Sequence, residues 1–365
     1  MNDLLSIPAY LMRGGTSKGL IFYKKDLPDD RTLLTKYLLR IMGSPDIRQI
    51  NGIGGGTSVT SKVCIISRSE EPNVDINYLF AQVEVDRNHV DFAPTCGNML
   101  SALGPFAIEE GLVKSNHDIT RVNVRSINTG ALITLDVPTP NFKLNYNGDY
   151  RIDGVPGTGA GILINFKELE GKITNSLFPT KSLIDNFDGI NVTCIDLATS
   201  MVICNASDFE VKGNETSQEL NRNKYLLKKI EKIRLLAADK MGMGDVSGKV
   251  LPKVALLSKS SKKNTVVSRY FTPYSCHETH AVTGTCCVAS CSLIPGTIGF
   301  NLLKKKENSK NYLEKITIKH PMGSIDCLVN LNQNFKKNLG KKNNLIVSCG
   351  IYRTARILMK GQVYL

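Results

Sequence analysis

Asp91-Phe92-Ala93-Pro94-Thr95-Cys96-Gly97-Asn98 runs directly into an apolar, small-residue stretch from Met99 to Ile108. That composition predicts a helix beginning near Gly97, with Cys96 at its start. A thiol in this position lies beside unpaired backbone N–H groups and the positive end of the helix dipole, which favours the thiolate and creates an anion site. The competing reading is packing, because free cysteine is among the most buried residue types and fills space as a small hydrophobe. Gly97 and Asn98 favour the first reading, since they leave room for a ligand against the backbone. Cys64, Cys194, Cys204, Cys327 and Cys349 have no such setting and read as core.

Around this elbow the chain alternates β-rich runs: Ser6–Leu11, Leu20–Tyr23, Val63–Ser67, Tyr78–Val85, Thr120–Arg125 and Ala131–Val137. A helix is expected over Asp30–Met42, ended by Gly43-Ser44-Pro45. The picture is of many strands around one buried helix. The second half repeats it, with strands expected at Val192–Leu197, Met201–Cys204, Lys253–Leu257 and Thr265–Tyr270 and one long charged helix over Ser217–Lys240. A second elbow, Thr283-Gly284-Thr285, leads into small residues from Cys286 to Ile294. Strands, a polar-Gly-polar elbow and a small-residue helix thus occur twice, as in a diverged duplication, with a boundary expected near residue 185. Two such helix starts facing one ligand would hold a di- or tricarboxylate at both ends.

At 365 residues and 42% hydrophobic content, the chain exceeds the usual size of one domain and has ample core material. Ten cysteines without dense regular spacing, and no signal-peptide pattern, point to reduced thiols in a cytosol or organelle matrix, and a cytoplasmic location is expected. No apolar run reaches membrane-spanning length. The net charge of +13 is concentrated in runs such as Lys304-Lys305-Lys306, Lys336-Lys337 and Lys341-Lys342. No aromatic-interleaved basic motif accompanies them, which argues against nucleic acid, whereas a basic surface suits a small polyanionic substrate.

Two glycine loops invite nucleotide readings and fail on spacing. Arg13 to Gly19 lacks the separated glycines of a P-loop, and Gly52-Ile53-Gly54-Gly55-Gly56-Thr57 has Thr where the third dinucleotide-fingerprint glycine belongs. The first loop instead offers close backbone approach, with Thr16 and Ser17 as hydrogen-bonding groups and Arg13 and Lys18 as charges. Lys62 stands outside any lysine run, at the start of a strand. Partial burial near Arg13 or Lys18 would lower its pKa and make it a general base, although a solvated surface lysine is the ordinary alternative. His277 and His280 lie near Cys276, Cys286, Cys287 and Cys291, but His277-Glu278-Thr279-His280 is one residue short of H-E-x-x-H and no tetrahedral set is recognisable, so no metal is expected.

These motifs together resemble the PrpF family, which includes methylaconitate, methylitaconate, aconitate and oxalomesaconate isomerases of the diaminopimelate epimerase-like fold. The resemblance rests on Met12–Gly19, Thr60-Ser61-Lys62-Val63, Cys96-Gly97-Asn98 with Gly104-Pro105-Phe106-Ala107, and Gly154–Gly159. It continues through Pro252-Lys253-Val254-Ala255, Val282-Thr283-Gly284, Ile294-Pro295-Gly296-Thr297, His320-Pro321 with Gly323, and Arg353-Thr354-Ala355-Arg356 with Leu358-Met359.

What the resemblance implies is an α+β protein of two pseudo-symmetric domains, each a rolled, mostly antiparallel sheet around a central helix. The expected domains are 1–184 and 185–348, with about 349–365 returning to the first. It implies no cofactor, Lys62 and Cys96 as the acid/base pair and Ser17 close to the substrate. Arg13, Thr16, Lys18, Gly97, Asn98, Thr283, Gly284, Thr285 and His320 complete the expected substrate contacts. Three departures fall on the second-domain side: Ala198-Thr199-Ser200-Met201 replaces a frequent Asn-Pro pair, Glu278 and His280 stand where relatives often carry Lys and Tyr, and Ala160-Gly161 lacks the usual proline. The expected activity is a 1,3-proton shift that moves a carbon–carbon double bond in an unsaturated di- or tricarboxylate. Racemisation or epimerisation on the same fold, and a catalytically silent tricarboxylate-binding protein, are the alternatives. The expected partner is the small carboxylate, with a homodimer admitted and neither nucleic acid nor membrane.

Overall fold

The structure, a computed structural model, describes residues 5–92, 95–272, 274–303 and 312–365. The lysine run at 304–306 and Ala93-Pro94 lie outside them. The chain divides into two compact units, Met1–Asn165 with Tyr352–Leu365, and Phe166–Ile351. The first crossing comes earlier than the position near 185 expected from composition. The reason lies in 166–184: the Asp196 carboxylate accepts the amides of Ile173 and Thr174, at 2.8 and 2.7 Å, and Glu170 accepts those of Asn344, Leu345 and Ile346. This segment is therefore bonded to second-unit strands.

In the first unit the order is β1 (Ser6–Gly14), β2 (Ser17–Tyr23), α1 (Arg31–Met42), β3 (Lys62–Arg68), β4 (Ile76–Val83), β5 (Val90–Asp91), α2 (Gly97–Glu109), β6 (Asp118–Ser126) and β7 (Leu132–Thr139). β8 (Ile162–Lys167) leads into the second unit. There follow β9 (Asp185–Phe187), β10 (Ile190–Leu197), β11 (Thr199–Asn205), α3 (Ser217–Arg222), α4 (Lys224–Lys240), β12 (Lys253–Lys259), β13 (Thr265–Phe271), α5 (Val282–Cys291), α6 (Ile298–Leu302), β14 (Leu313–His320), β15 (Gly323–Leu331), α7 (Phe335–Leu339) and β16 (Ile346–Arg353). The last strand, β17 (Ala355–Tyr364), pairs antiparallel with β1.

The duplication read from the two elbows extends to strand pairing. In the first unit β1–β2 is antiparallel, β2–β3 parallel, β3–β4 antiparallel, β4–β6 parallel and β6–β7 antiparallel. β10–β11, β11–β12, β12–β13, β13–β14 and β14–β15 follow the same series. The helices fall at matching places, α1 and α4 before the parallel return, α2 and α5 after the fourth strand of each series.

Strand alternation assigns the faces. Leu20, Phe22, Val63, Ile65, Ala81 and Val83 form a buried cluster with Leu34, Leu38 and Ile41 of α1. Each Leu, Ile, Val or Phe side chain so removed from water stabilises the fold by about 1.5–3 kcal/mol. The alternate residues of β3 and β4, beginning with Lys62 and Gln82, lie on the opposite face, where α2 runs. α2 settles closely there, since a Cβ on Gly104 would stand 2.5 Å from the Val137 side chain.

Two elements differ from the sequence reading. The single helix expected over Ser217–Lys240 is two helices, because Asn223 interrupts it and accepts the amide of Leu226 as a new N-cap. The loop expected from Arg13 to Gly19 is a tight hairpin, in which only Gly15 and Thr16 lie outside the strands. Gly15 has φ +52°, a left-handed conformation that favours glycine.

Candidate active site

Lys62 is the first residue of β3, opposite Gln82 of β4 and beside Gly19 of β2. It is 9% exposed, and its ammonium donates to Gln82 Oε1 at 2.7 Å and lies 5.2 Å from the Phe80 ring centre. Gln82 is itself fixed, its amide nitrogen donating to the carbonyls of Ser61 at 2.9 Å and Ser58 at 3.1 Å. The lysine is thus oriented by a neutral amide, and no carboxylate pairs with it among the described residues. Gly19 is required beside it: a Cβ there would stand 2.4 Å from the Lys62 carbonyl oxygen.

Cys96 is the N-cap of α2 and supplies no side-chain cap, so the first-turn amides receive nothing from it. It too is 9% exposed. Cys64 and Tyr78 lie on the face of β3 and β4 that carries Lys62, and both are fully buried. Cys96 and Lys62 both act electrostatically on Cys64, which places all three groups in one patch. Burial pushes the thiol of Cys64 and the phenol of Tyr78 far up, so both stay protonated at neutral pH. The Tyr78 hydroxyl makes no hydrogen bond of normal geometry, and the Cys64 thiol and Cys96 main chain are polar groups that act on it.

The β1–β2 hairpin closes over the start of α2. Cβ atoms on Gly14 and Gly15 would stand 2.7 Å from the Asn98 carbonyl oxygen and 2.2 Å from its Oδ1. Asn98 Oδ1 accepts from Arg353 Nε at 3.1 Å and from the Thr16 amide at 3.5 Å. Arg13 donates to the carbonyls of Gly15 and Thr354, both at 2.9 Å, so its guanidinium braces the hairpin; burial and nearby Arg356 lower its pKa. Ser17 is buried opposite Gly14, whereas Lys18 and Thr16 are half-buried. The structure therefore gathers Arg13, Thr16, Ser17, Lys18, Lys62, Cys96, Gly97 and Asn98 within the first unit. The second glycine loop is packed framework: Gln49 accepts the Gly56 amide at 2.9 Å and donates to Ser61 Oγ at 2.7 Å.

In the second unit, Thr283 and Gly284 lie in the first turn of α5, whose N-cap is Ala281. Thr285 is fully buried and its hydroxyl is committed inward, donating to the Ala281 carbonyl at 2.9 Å beside His280 Nδ1 at 3.1 Å. Its hydroxyl proton is thereby used within the first turn of α5. His280 Nε2 lies 3.1 Å from Ser268 Oγ, and burial lowers the imidazole pKa to about 3, so the ring is neutral. His320 ends β14, opposite Gly323, and is 5% exposed. The cysteines and histidines of 276–291 do not form one cluster. The group with metal-ligand spacing among the described residues is Cys286, Cys327 and Cys349, fully buried, with sulfur atoms within 4.8 Å of one another.

The sequence reading did not single out Gln82 or Tyr78, and Cys64, read there as core, is fully buried. Period-two alternation on β3 and β4 is the signal that carries them, and it becomes usable only once the register Lys62↔Gln82 is known.

Similarity to known proteins agrees with this architecture. A crystal structure of methylitaconate-delta-isomerase superposes with a TM-score of 0.87 at 34% identity, covering 100% of this chain and 96% of that one. A hydroxyproline epimerase from Agrobacterium vitis, 10% identical with a TM-score of 0.52 over 99% of this chain and 93% of its own, shares the fold. The fold is thus α+β, of the kind shared with that epimerase, and built from two like units. Residues 4–365 match the family model described as PrpF protein, and the chain belongs to that family. It is also similar to 4-oxalomesaconate tautomerase of Pseudomonas putida, at 40% identity over 357 residues, covering 98% of this chain and 95% of the relative.

Proposed function

We propose that the protein is an isomerase that moves a carbon–carbon double bond in an unsaturated di- or tricarboxylate, with Lys62 and Cys96 as the proton-transfer pair. The observation that carries this reading is the patch in the first unit where an amine held by a neutral amide and a thiol at an uncapped helix start both lie within electrostatic reach of Cys64. The names of the similar proteins, a methylitaconate-delta-isomerase and a 4-oxalomesaconate tautomerase, support the substrate class.

Lys62, in its neutral amine form, removes an allylic proton next to a carboxylate and becomes the ammonium. The electron pair moves through the adjacent carbon–carbon bond, charge develops on the carboxylate, and the far carbon takes a proton from Cys96. First-turn amides of α2 stabilise the developing charge, and such preorganised donors usually contribute most to catalysis of this kind. Gln82 presents the lysine in one orientation, which makes the transfer a matter of position rather than of chance encounter. Neither Ala281 nor Thr283 at the start of α5 is a thiol, so a two-thiol racemase mechanism does not fit this chain.

The test is conversion by the purified protein of methylitaconate, 4-oxalomesaconate, 2-methylaconitate and trans-aconitate, followed by proton NMR. Migration of the double bond in at least one acid is the expected result. Binding of all four without conversion would identify a silent binding protein instead.

A further inference from the structure

Three cysteines of the second unit converge on one point. Cys327 of β15 and Cys349 of β16 lie on one face of this strand pair: Val329 pairs with Cys349, and Cys327 stands two residues before Val329. Side chains of such diagonal neighbours reach one another. Cys286 comes from the second turn of α5, which lies against β15. Ser290, one turn further along the same side of α5, places its Oγ 3.1 Å from Cys349 Sγ. The three sulfur atoms lie within 4.8 Å of one another, and all three residues are fully buried.

Packing accounts for most cysteines of this chain. All ten are free and buried, and Cys287 and Cys291 of the same helix are not part of the cluster. Packing does not require sulfur to converge on sulfur, whereas a thiophilic ion does. With bonds of about 2.3 Å, as between zinc and thiolate, three ligand sulfurs stand roughly 3.5–4 Å apart.

The donor set decides which ion fits. Three sulfur donors, with no histidine or carboxylate in the group, leave the tetrahedral shell of a structural zinc one ligand short, and the Ser290 hydroxyl is not among the usual ligands of such sites. Charge narrows the choice further. Thiolates taken out of water are costly unless the ion cancels them, and Asp326, which acts on Cys327, adds a negative charge rather than a positive one. On three thiolates a monovalent ion would leave two negative charges buried and a divalent ion one. A trivalent ion leaves none.

We propose that Cys286, Cys327 and Cys349 form a binding site for a soft trivalent ion of the arsenic type, held by three thiolates with no net charge. Arsenous acid enters as a neutral molecule and condenses with the three thiols. Three As–O and three S–H bonds break, three As–S and three O–H bonds form, and three water molecules leave. Arsenic stays trivalent, so no oxidant or reductant takes part, and no proton is released. Exclusion of water then protects the As–S bonds from hydrolysis. Because Cys286 follows the Thr283-Gly284 elbow closely, the ion ties the start of α5 to β15 and β16. Occupancy of this site does not depend on the isomerase reading.

The test uses the reduced full chain incubated with sodium arsenite, freed of unbound arsenite, and read by native mass spectrometry, arsenic X-ray absorption and thermal melting. The expected result is one arsenic per chain with the loss of three hydrogens, an absorption spectrum of three sulfur neighbours and no oxygen, and a raised melting temperature. Cys286→Ala, Cys327→Ala and Cys349→Ala should each lose this adduct. Cys194→Ala, which removes a buried cysteine outside the cluster, should keep it. Wild-type protein that takes up no arsenic would overturn the proposal. So would two sulfur neighbours with a remaining oxygen, or an adduct that persists unchanged in all three cluster variants. Should a variant fail to fold, the wild-type spectrum still decides, because this is the one group of three such ligands among the described residues.

Discussion

In the proposed reaction Lys62 is the base, which requires its Nζ to be held in place, and the hydrogen bond to Gln82 Oε1 holds it. Replacing Gln82 with Leu keeps the volume roughly constant and removes the acceptor at 2.7 Å. Misplacing a catalytic group by about 1 Å costs on the order of a hundredfold, so kcat of Gln82→Leu should fall roughly ten- to hundredfold with a smaller change in KM. Cys96→Ser should retain carboxylate binding and lose most turnover, since a hydroxyl is a far poorer proton-transfer group than a thiol at a helix start. Mass spectrometry of alkylated protein checks the same residue independently: bound methylitaconate should protect Cys96 more than any other cysteine. Equal labelling with and without ligand would make it a packing thiol. Lys62 and Cys96 could be singled out as candidates in the sequence because each sits in a setting unlike that of other lysines and cysteines. Gln82 and Tyr78 were not, since nothing local distinguishes them from ordinary residues of a half-buried strand.

At the scale of elements, the start of α2 depends on how closely the β1–β2 hairpin lies against it. Gly14→Ala puts a methyl group 2.7 Å from the Asn98 carbonyl oxygen and 2.9 Å from the Met99 Cα, both main-chain atoms that move only with the helix. Overpacking of this kind costs about 1–3 kcal/mol, and activity should fall further than stability because the shifted atoms belong to the first turn of α2. Thermal melting beside kcat measures the two effects, and a melting temperature equal to that of wild type would show that the hairpin gives way freely. The helix starting near Gly97, α1 and the principal strands were readable from periodicity and stop signals. The α3–α4 break was not, because Asn223 is an unremarkable residue within a continuous apolar stripe until its side chain caps Leu226. The hairpin turn was read as a longer loop because three glycines in seven residues look like a flexible segment, although two of them lie in strands at close contacts.

For the whole molecule, the two units share a strand series and a helix order, yet their chemistry has diverged. The first keeps a thiol at a helix start and a lysine held by glutamine, and the second has a neutral, buried histidine hydrogen-bonded to Ser268. Sequence alone revealed the duplication at the elbows, where Cys-Gly and Thr-Gly can be compared by eye. The equivalence of β3 and β12 needed the pairing of β2 with β3 and of β11 with β12, which is long-range information. The central claim is that Lys62 moves a proton of an unsaturated carboxylate, and incubation in heavy water tests it most directly. With methylitaconate or 2-methylaconitate, wild-type protein should shift the double bond and carry deuterium into the allylic carbon. Lys62→Met, with an unchanged melting temperature, should slow both by about 100- to 10,000-fold. Double-bond migration and deuterium uptake at the wild-type rate in Lys62→Met would contradict the assignment of Lys62 as the base.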